Sequence, residues 1–137
     1  MHHHHFKRQW HLATRKVFLL SPANTGGPRA KLLLNARARF DLAIKLQSEG
    51  APLGEVYSFI SGLYFRGKVA YSAAFASPPD GVPASVVITP GAGLIPPETV
   101  VTADIIRSLA EIDIHPDEPR YREPLERDAR LLAGAVG

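Results

Sequence analysis

Between Ser61 and Lys68 the chain crowds Tyr64, Phe65, Arg66 and Lys68 around Gly62 and Gly67. An aromatic face stacks on a base while neighbouring cations meet phosphates. The segment therefore has the composition of a nucleotide or nucleic-acid site, with Ser61, Tyr64, Arg66 and Lys68 as its donors and platform. The competing assignment puts Tyr64 and Phe65 in the core and leaves the cations on the surface. Ser21 to Gly27 is a second candidate: Gly26 and Gly27 let backbone amides approach an anion at a helix start, and Ser21, Asn24, Thr25 and Arg29 add donors. It has neither the Gly-Lys-Ser/Thr ending of a Walker loop nor the dinucleotide pattern Gly-x-Gly-x-x-Gly, so a turn serving backbone geometry alone competes. Thr89 to Pro96 is the third, where Thr89, Gly91 and Gly93 would bring main chain close to a ligand or to the first loop.

None of these three segments contains Asp, Glu, His or Cys. No general base or usual nucleophile is thus supplied within them. The nearest carboxylates are Glu55, Glu98 and Asp104. An enzyme acting on a nucleoside or its glycosidic bond would need one of them to reach Ser21 or Ser61. A structural or protein-interaction module is the third alternative. No cofactor is expected, and no metal, because His11 and His115 stand alone without a partner at ligand spacing. His2 to His5 read as a purification-tag remnant, and residues 1–5 are set aside.

The elements that must carry these segments follow from hydrophobic pattern. Val17 to Leu20, Glu55 to Ile60 and Ser85 to Thr89 read as strands by their β-branched and aromatic content. Ala30 to Gln47 reads as one helix after Pro28, with Leu33, Ala36, Phe40, Ala43 and Ile44 on one stripe and Gly50 as the stop. Leu63 to Ala76 reads as a second helix behind Ser61. A third is capped by Thr102 and runs to Glu111, with Asp104 in its first turn, and a last one starts near Pro124 and stops at Gly134. Strand and helix alternate, which predicts an α/β fold: a small three-layer α/β/α arrangement around a mostly parallel sheet of three or more strands, order 2-1-3. Residues 8–14 or 98–101 could widen that sheet. In such a sheet the loops leaving the carboxyl ends of the strands share one edge, where ligands bind.

A length of 137 residues predicts a single domain, 1–137. Cysteine is absent, which removes disulfides and thiolate zinc sites and fits a cytoplasmic setting. The apolar runs fall short of the roughly 18 residues of a membrane span, and the amino terminus lacks a signal-peptide core. No membrane partner is expected. Charge divides sharply: residues 1–78 hold 11 Lys and Arg against 3 acids, net +8, and residues 79–137 hold 5 against 10, net −5. The basic half would attract phosphates or nucleic acid; alternatively the two halves pair internally or across a homodimer.

Ser61, Leu63, Tyr64, Phe65 and Arg66, followed by Ala70 and Tyr71, then Val86 to Ile88 and a Gly93, Leu94, Pro96 turn, form an order that resembles a group of small uncharacterised bacterial domains. These are similar to the peroxide-stress protein family and to auxiliary domains of proteins related to tRNA-guanine transglycosylase. The resemblance spans about residues 17–97 and implies a nucleotide or nucleic-acid context. The chain departs from that pattern in having no cysteine after the first strand and in carrying Thr89 to Ala92 where those domains favour Ser-Ala and a larger residue.

Overall fold

The computed structural model describes residues 15–137. Residues 8–14, considered above as an extra strand, lie outside the described residues, as do Lys7, Arg8, His11 and the histidine run. Among the described residues the fold is mixed α/β, with six helices and five short strands. They are β1 (Phe18–Leu20), α1 (Pro28–Leu34), α2 (Asp41–Ser48), β2 (Ala51–Pro52), α3 (Leu53–Ser61), α4 (Leu63–Phe75), β3 (Ser85–Ile88), β4 (Leu94–Ile95), β5 (Val100–Val101), α5 (Ala103–Ala110) and α6 (Pro119–Val136). No helix among them is long and apolar enough to cross a membrane.

The main sheet has order β1-β3-β4, with β1 and β3 parallel and β3 and β4 antiparallel. This corrects the expectation of a mostly parallel sheet of order 2-1-3, because the expected second strand is a helix. Residues 55–60 are strand-like by type, yet Leu53, Val56, Tyr57 and Ile60 are all buried and fall at helical spacing, i, i+3, i+4 and i+7. Burial of that stripe outweighs β propensity. The amino terminus of α3 is anchored from outside: Leu53 N–H donates to Thr99 O at 2.8 Å and Gly54 N–H to Pro97 O at 2.8 Å, beside the antiparallel pairing of β2 with β5. The strand expected around 98–101 therefore exists, but in a separate two-stranded sheet.

The helix expected over 30–47 is also two helices. Asn35 ends α1 in an extended conformation, and its Oδ1 accepts from Arg37 N–H at 2.9 Å. A side chain that competes for backbone donors in this way favours a turn over a continued helix. Arg39 and Gln47 then satisfy the carbonyls of Ala36 and Ala38. The last helix starts at Pro119, five residues earlier than expected, and passes through Pro124 and Gly134. Glu118 caps it by accepting from Arg120 N–H at 3.2 Å; its hydrogen bond with the Arg120 side chain holds its carboxyl below the usual glutamate range.

Alternation within the strands separates two faces. Leu20 pairs across from Val87, and both join the core formed with α1, α2, α3 and α5; Leu19 and Val86 turn the other way. On that second face Leu19 and Leu94 share a cavity with Ala129, Leu132 and Val136 of α6. Tyr57 is fully buried in the core, edge-on to Phe65 at 5.5 Å between ring centroids. Its hydroxyl has no hydrogen-bond partner among the described residues, and burial pushes its pKa up to about 12.

The cap expected for α5 is present. Thr102 Oγ1 accepts from Ile105 N–H at 3.3 Å, and the helix buries Ile106 and Leu109. Thr102→Ala is expected to destabilise the protein by about 1 kcal/mol, read from a lowered urea midpoint, with Thr102→Ser retaining most of the stability. An unchanged midpoint in the alanine variant would show that the cap contributes nothing.

Candidate functional site

α3 and α4 form a helical hairpin whose turn is Gly62, at φ 69° and ψ −145°, a backbone region open to glycine and almost no other residue. Ser61 is the last residue of α3 and Gly62, not Ser61 as its position suggested, holds the N-cap of α4; Ser61 Oγ nevertheless accepts from Phe65 N–H in the first turn at 3.1 Å. Opposite this turn runs the loop from Ser21 to Gly27. Asn24 Oδ1 accepts from Gly26 N–H at 3.0 Å, which folds the loop on itself and engages one of the amides expected to face an anion. Gly27 and Pro28 then open α1. The next residue, Arg29, reaches across to α3: its Nε donates to Phe59 O, and its guanidinium lies 4.4 Å from the Phe59 ring centroid. Phe59 in turn stacks on Phe40 at 5.3 Å.

Two cavities flank this junction. The first, about 590 Å³, is lined by Arg29, Ser61, Gly62 and Arg66 together with Glu55 and Phe59. The second, about 580 Å³, lies between β1 and α4 and is lined by Ser21, Tyr64, Gly67, Lys68 and Tyr71 against Phe18 and Leu19. Helical geometry explains the division. Arg66 stands two residues after Tyr64 and so points to the opposite side of α4, whereas Tyr64, Lys68 and Tyr71 recur every four and three residues along one stripe. The single cleft expected from sequence is thus two hollows on either side of one helix. In the second, Lys68 Nζ sits 4.3 Å from the Tyr64 ring centroid. Tyr64 is 72% exposed, and no described atom lies within 4 Å of where a Cβ on Gly67 would stand.

The third loop joins neither cavity. β1 and β3 are parallel, so Ser21 and Thr89 do leave the same sheet edge, but Thr89 to Gly93 closes into a tight turn between β3 and β4. Thr89 is fully buried; its Oγ1 donates to Gly93 O at 2.8 Å and accepts from Ala92 N–H at 2.8 Å. A Cβ on Gly91 would meet Ile112, and one on Gly93 would meet Asp128. The glycines of this loop make room for protein atoms of α6 and of the segment after α5.

Of the three carboxylates weighed as acid or base, Glu55 lines the Arg29 and Arg66 cavity, 3.7 Å from Lys45 Nζ. Glu98 lines a neighbouring hollow of about 420 Å³ that also borders Arg66. Asp104 lies elsewhere, bonded to Arg107 at 3.1 Å. Ser61 Oγ is committed to Phe65 N–H. Phe59 and Tyr71 are lining residues that the reading of the sequence did not select for the site, although Tyr71 was available from its spacing with Tyr64 and Lys68. The chain carries no Asp or Glu from its start to Phe40, nor between Val56 and Pro79, the two stretches that supply the walls of the second cavity. Comparison with known protein families, with curated proteins and with solved structures gives no match to this chain.

Proposed function

We propose that this protein binds a phosphate-bearing ligand, a nucleotide or nucleic acid, at the hollow between β1 and α4. The observation that carries the reading is the exposed Tyr64 ring, one face under Lys68 and the other open to stacking, in a hollow that Ser21 also lines and whose walls are free of carboxylates. A base stacks on the ring, and a phosphate meets the ammonium within the same hollow. Arg29 and Arg66, on the far side of α4, supply a second cationic hollow at the same junction. The resemblance to nucleotide-related domains and a cytoplasmic setting agree with this reading. We also propose a three-layer arrangement in which α6 forms the outer layer.

Titration with nucleoside triphosphates and short oligonucleotides, at low and at moderate salt, tests it. Affinity is expected to fall as salt rises, and Lys68→Ala is expected to weaken binding about tenfold, the size of one charge-assisted contact. Absence of any salt-sensitive binding, or a Lys68→Ala variant that binds like the parent, would overturn the proposal.

Glu55, lining the same cavity as Ser61 and Arg66, favours a second reading, an enzyme acting on a nucleoside or its glycosidic bond with Glu55 as acid or base. Release of free base from a nucleoside, lost in Glu55→Gln, would support it.

A further inference from the structure

Tyr64 and Lys68 begin a stripe that does not end with the hollow. Tyr71 and Phe75 continue it at the same helical spacing, and the three aromatic residues are 72%, 57% and 57% exposed. This is an unusual amount of aromatic surface to leave against water. Phe65, Val69 and Ser72 mark the side of α4 that packs inward, so the stripe lies roughly a quarter turn away from the helix's own buried face. Tyr71 and Phe75 touch each other, with centroids 4.6 Å apart, and Tyr71 rests edge-on against Phe18 at 5.8 Å. No base fits between rings that close; the pair acts as one platform, and Tyr64 is another. Seven residues separate Tyr64 from Tyr71, a rise of about 10 Å, and Gly67 leaves the space between them open.

Charge marks one end of the track, where Lys68 stands over the Tyr64 ring. Beyond the Phe75 end Lys16 is joined to Ser77 by paired backbone bonds, at 3.0 and 2.9 Å, and lines the cavity beside α6. The stretch Val56 to Pro79 contributes no acid anywhere along it.

We infer that this face of α4 takes a single strand of nucleic acid several nucleotides long, with bases stacked on Tyr64 and on the Tyr71 and Phe75 platform and a phosphate near Lys68. This rests on the reading of the β1 and α4 hollow as a phosphate-ligand site and names its ligand class. A gap of about 10 Å equals about three stacked nucleotide steps of roughly 3.4 Å. A mononucleotide can reach one platform, and only a longer strand reaches both. A duplex hides its base faces and cannot use either. An apolar protein surface would account for the aromatics but would leave Lys68 and the missing carboxylates without a role.

Fluorescence polarisation at low salt, using thymidine monophosphate as competitor and labelled dT2, dT4, dT8 and an eight-base-pair duplex as probes, tests the inference. Affinity is expected to rise at least about tenfold from the monophosphate to dT4 or dT8, and the duplex to bind about tenfold more weakly than dT8. Tyr71→Leu and Phe75→Leu keep apolar bulk where Phe18 packs but remove the π face. Each is expected to lower the ratio of dT8 affinity to monophosphate affinity about fivefold or more. Equal affinity for the monophosphate and dT8, a duplex that binds as well as dT8, or leucine variants with an unchanged ratio would overturn the single-strand inference. If those results came with salt-sensitive monophosphate binding lost in Lys68→Ala, the phosphate-site reading would survive alone. If no phosphate compound bound at all, both would fall.

Discussion

Gly93→Ala is expected to destabilise the protein by about 2–5 kcal/mol, the sum of a backbone cost and a displaced hydrogen bond. Gly93 sits at φ +69°, where a Cβ costs about 1–2 kcal/mol by crowding its own backbone. The added carbon would also stand 2.1 Å from Asp128 Oδ2 and 2.9 Å from the main-chain oxygen of Pro124. Asp128 cannot simply swing aside, because Oδ2 accepts from Leu94 N–H at 3.0 Å; moving it leaves that donor unpaired, at about 1–3 kcal/mol. The Pro124 oxygen belongs to the body of α6, so relief requires the helix to move away from the hairpin. Urea denaturation checks the loss, and far-UV circular dichroism checks whether α6 frays with it. Gly134→Ala is the control: no described atom lies near its Cβ position, and alanine favours a helix by about 1 kcal/mol. Equal stability of Gly93→Ala and the parent protein would contradict the packing of α6 on the turn after β3.

Tyr57→Phe is expected to stabilise the protein by about 1 kcal/mol at neutral pH, with an advantage that grows in alkali. The Tyr57 hydroxyl is buried without a partner among the described residues, so folding strips its water and returns nothing. Its pKa, up to about 12 when folded, stands near 10 in the unfolded chain. Between those values the unfolded chain releases the phenolic proton and the folded protein keeps it. The folded state then binds more protons, and stability falls as pH rises, by up to about 3 kcal/mol near pH 12. Below about pH 10 both states keep the proton and this component of stability is whole. Phenylalanine has nothing to titrate. Urea midpoints of the two proteins, followed from about pH 8 to about pH 11, are expected to diverge in favour of the Tyr57→Phe variant above about pH 10. Parallel curves would mean that the hydroxyl meets water or a partner when folded.

Elements governed by short-range forces were legible from residue order. α5 could be placed to within a residue because Thr102, Asp104 and an Ile105, Ile106 and Leu109 stripe all act within one or two turns, although Ile105 is exposed and only Ile106 and Leu109 of that stripe are buried. β1 and β3 stood out as short apolar runs bounded by turn formers. α3 was misread although its evidence was present: Val56, Tyr57, Phe59 and Ile60 favour a strand by type and a helix by spacing, and composition says nothing about which preference burial will reward. Asn35 likewise favours a turn by type, but it sat within an apolar stripe at helical spacing, and only the structure shows that its bond to Arg37 N–H breaks the helix.

At the candidate site, the sequence singled out Ser21, Tyr64, Arg66 and Lys68 for one shared cleft at a sheet edge; the structure divides them, with Arg66 in one hollow and Ser21, Tyr64 and Lys68 in the other. Which side of α4 each one occupies follows from a helical rotation of about 100° per residue, and that rotation is certain only once the helix and its buried face are known. The fate of the third loop was out of reach. Gly91 and Gly93 were visible as positions where something must come close, but whether ligand or protein fills the space depends on Ile112 and Asp128, which the chain brings back only after further turns and helices. Local sequence determined which short segments carry aromatic, cationic and glycine residues together; the long-range return of α5 and α6 decided that the turn after β3 is filled by protein, because the contacts that fill a cavity join residues whose separation along the chain carries no signal of their meeting.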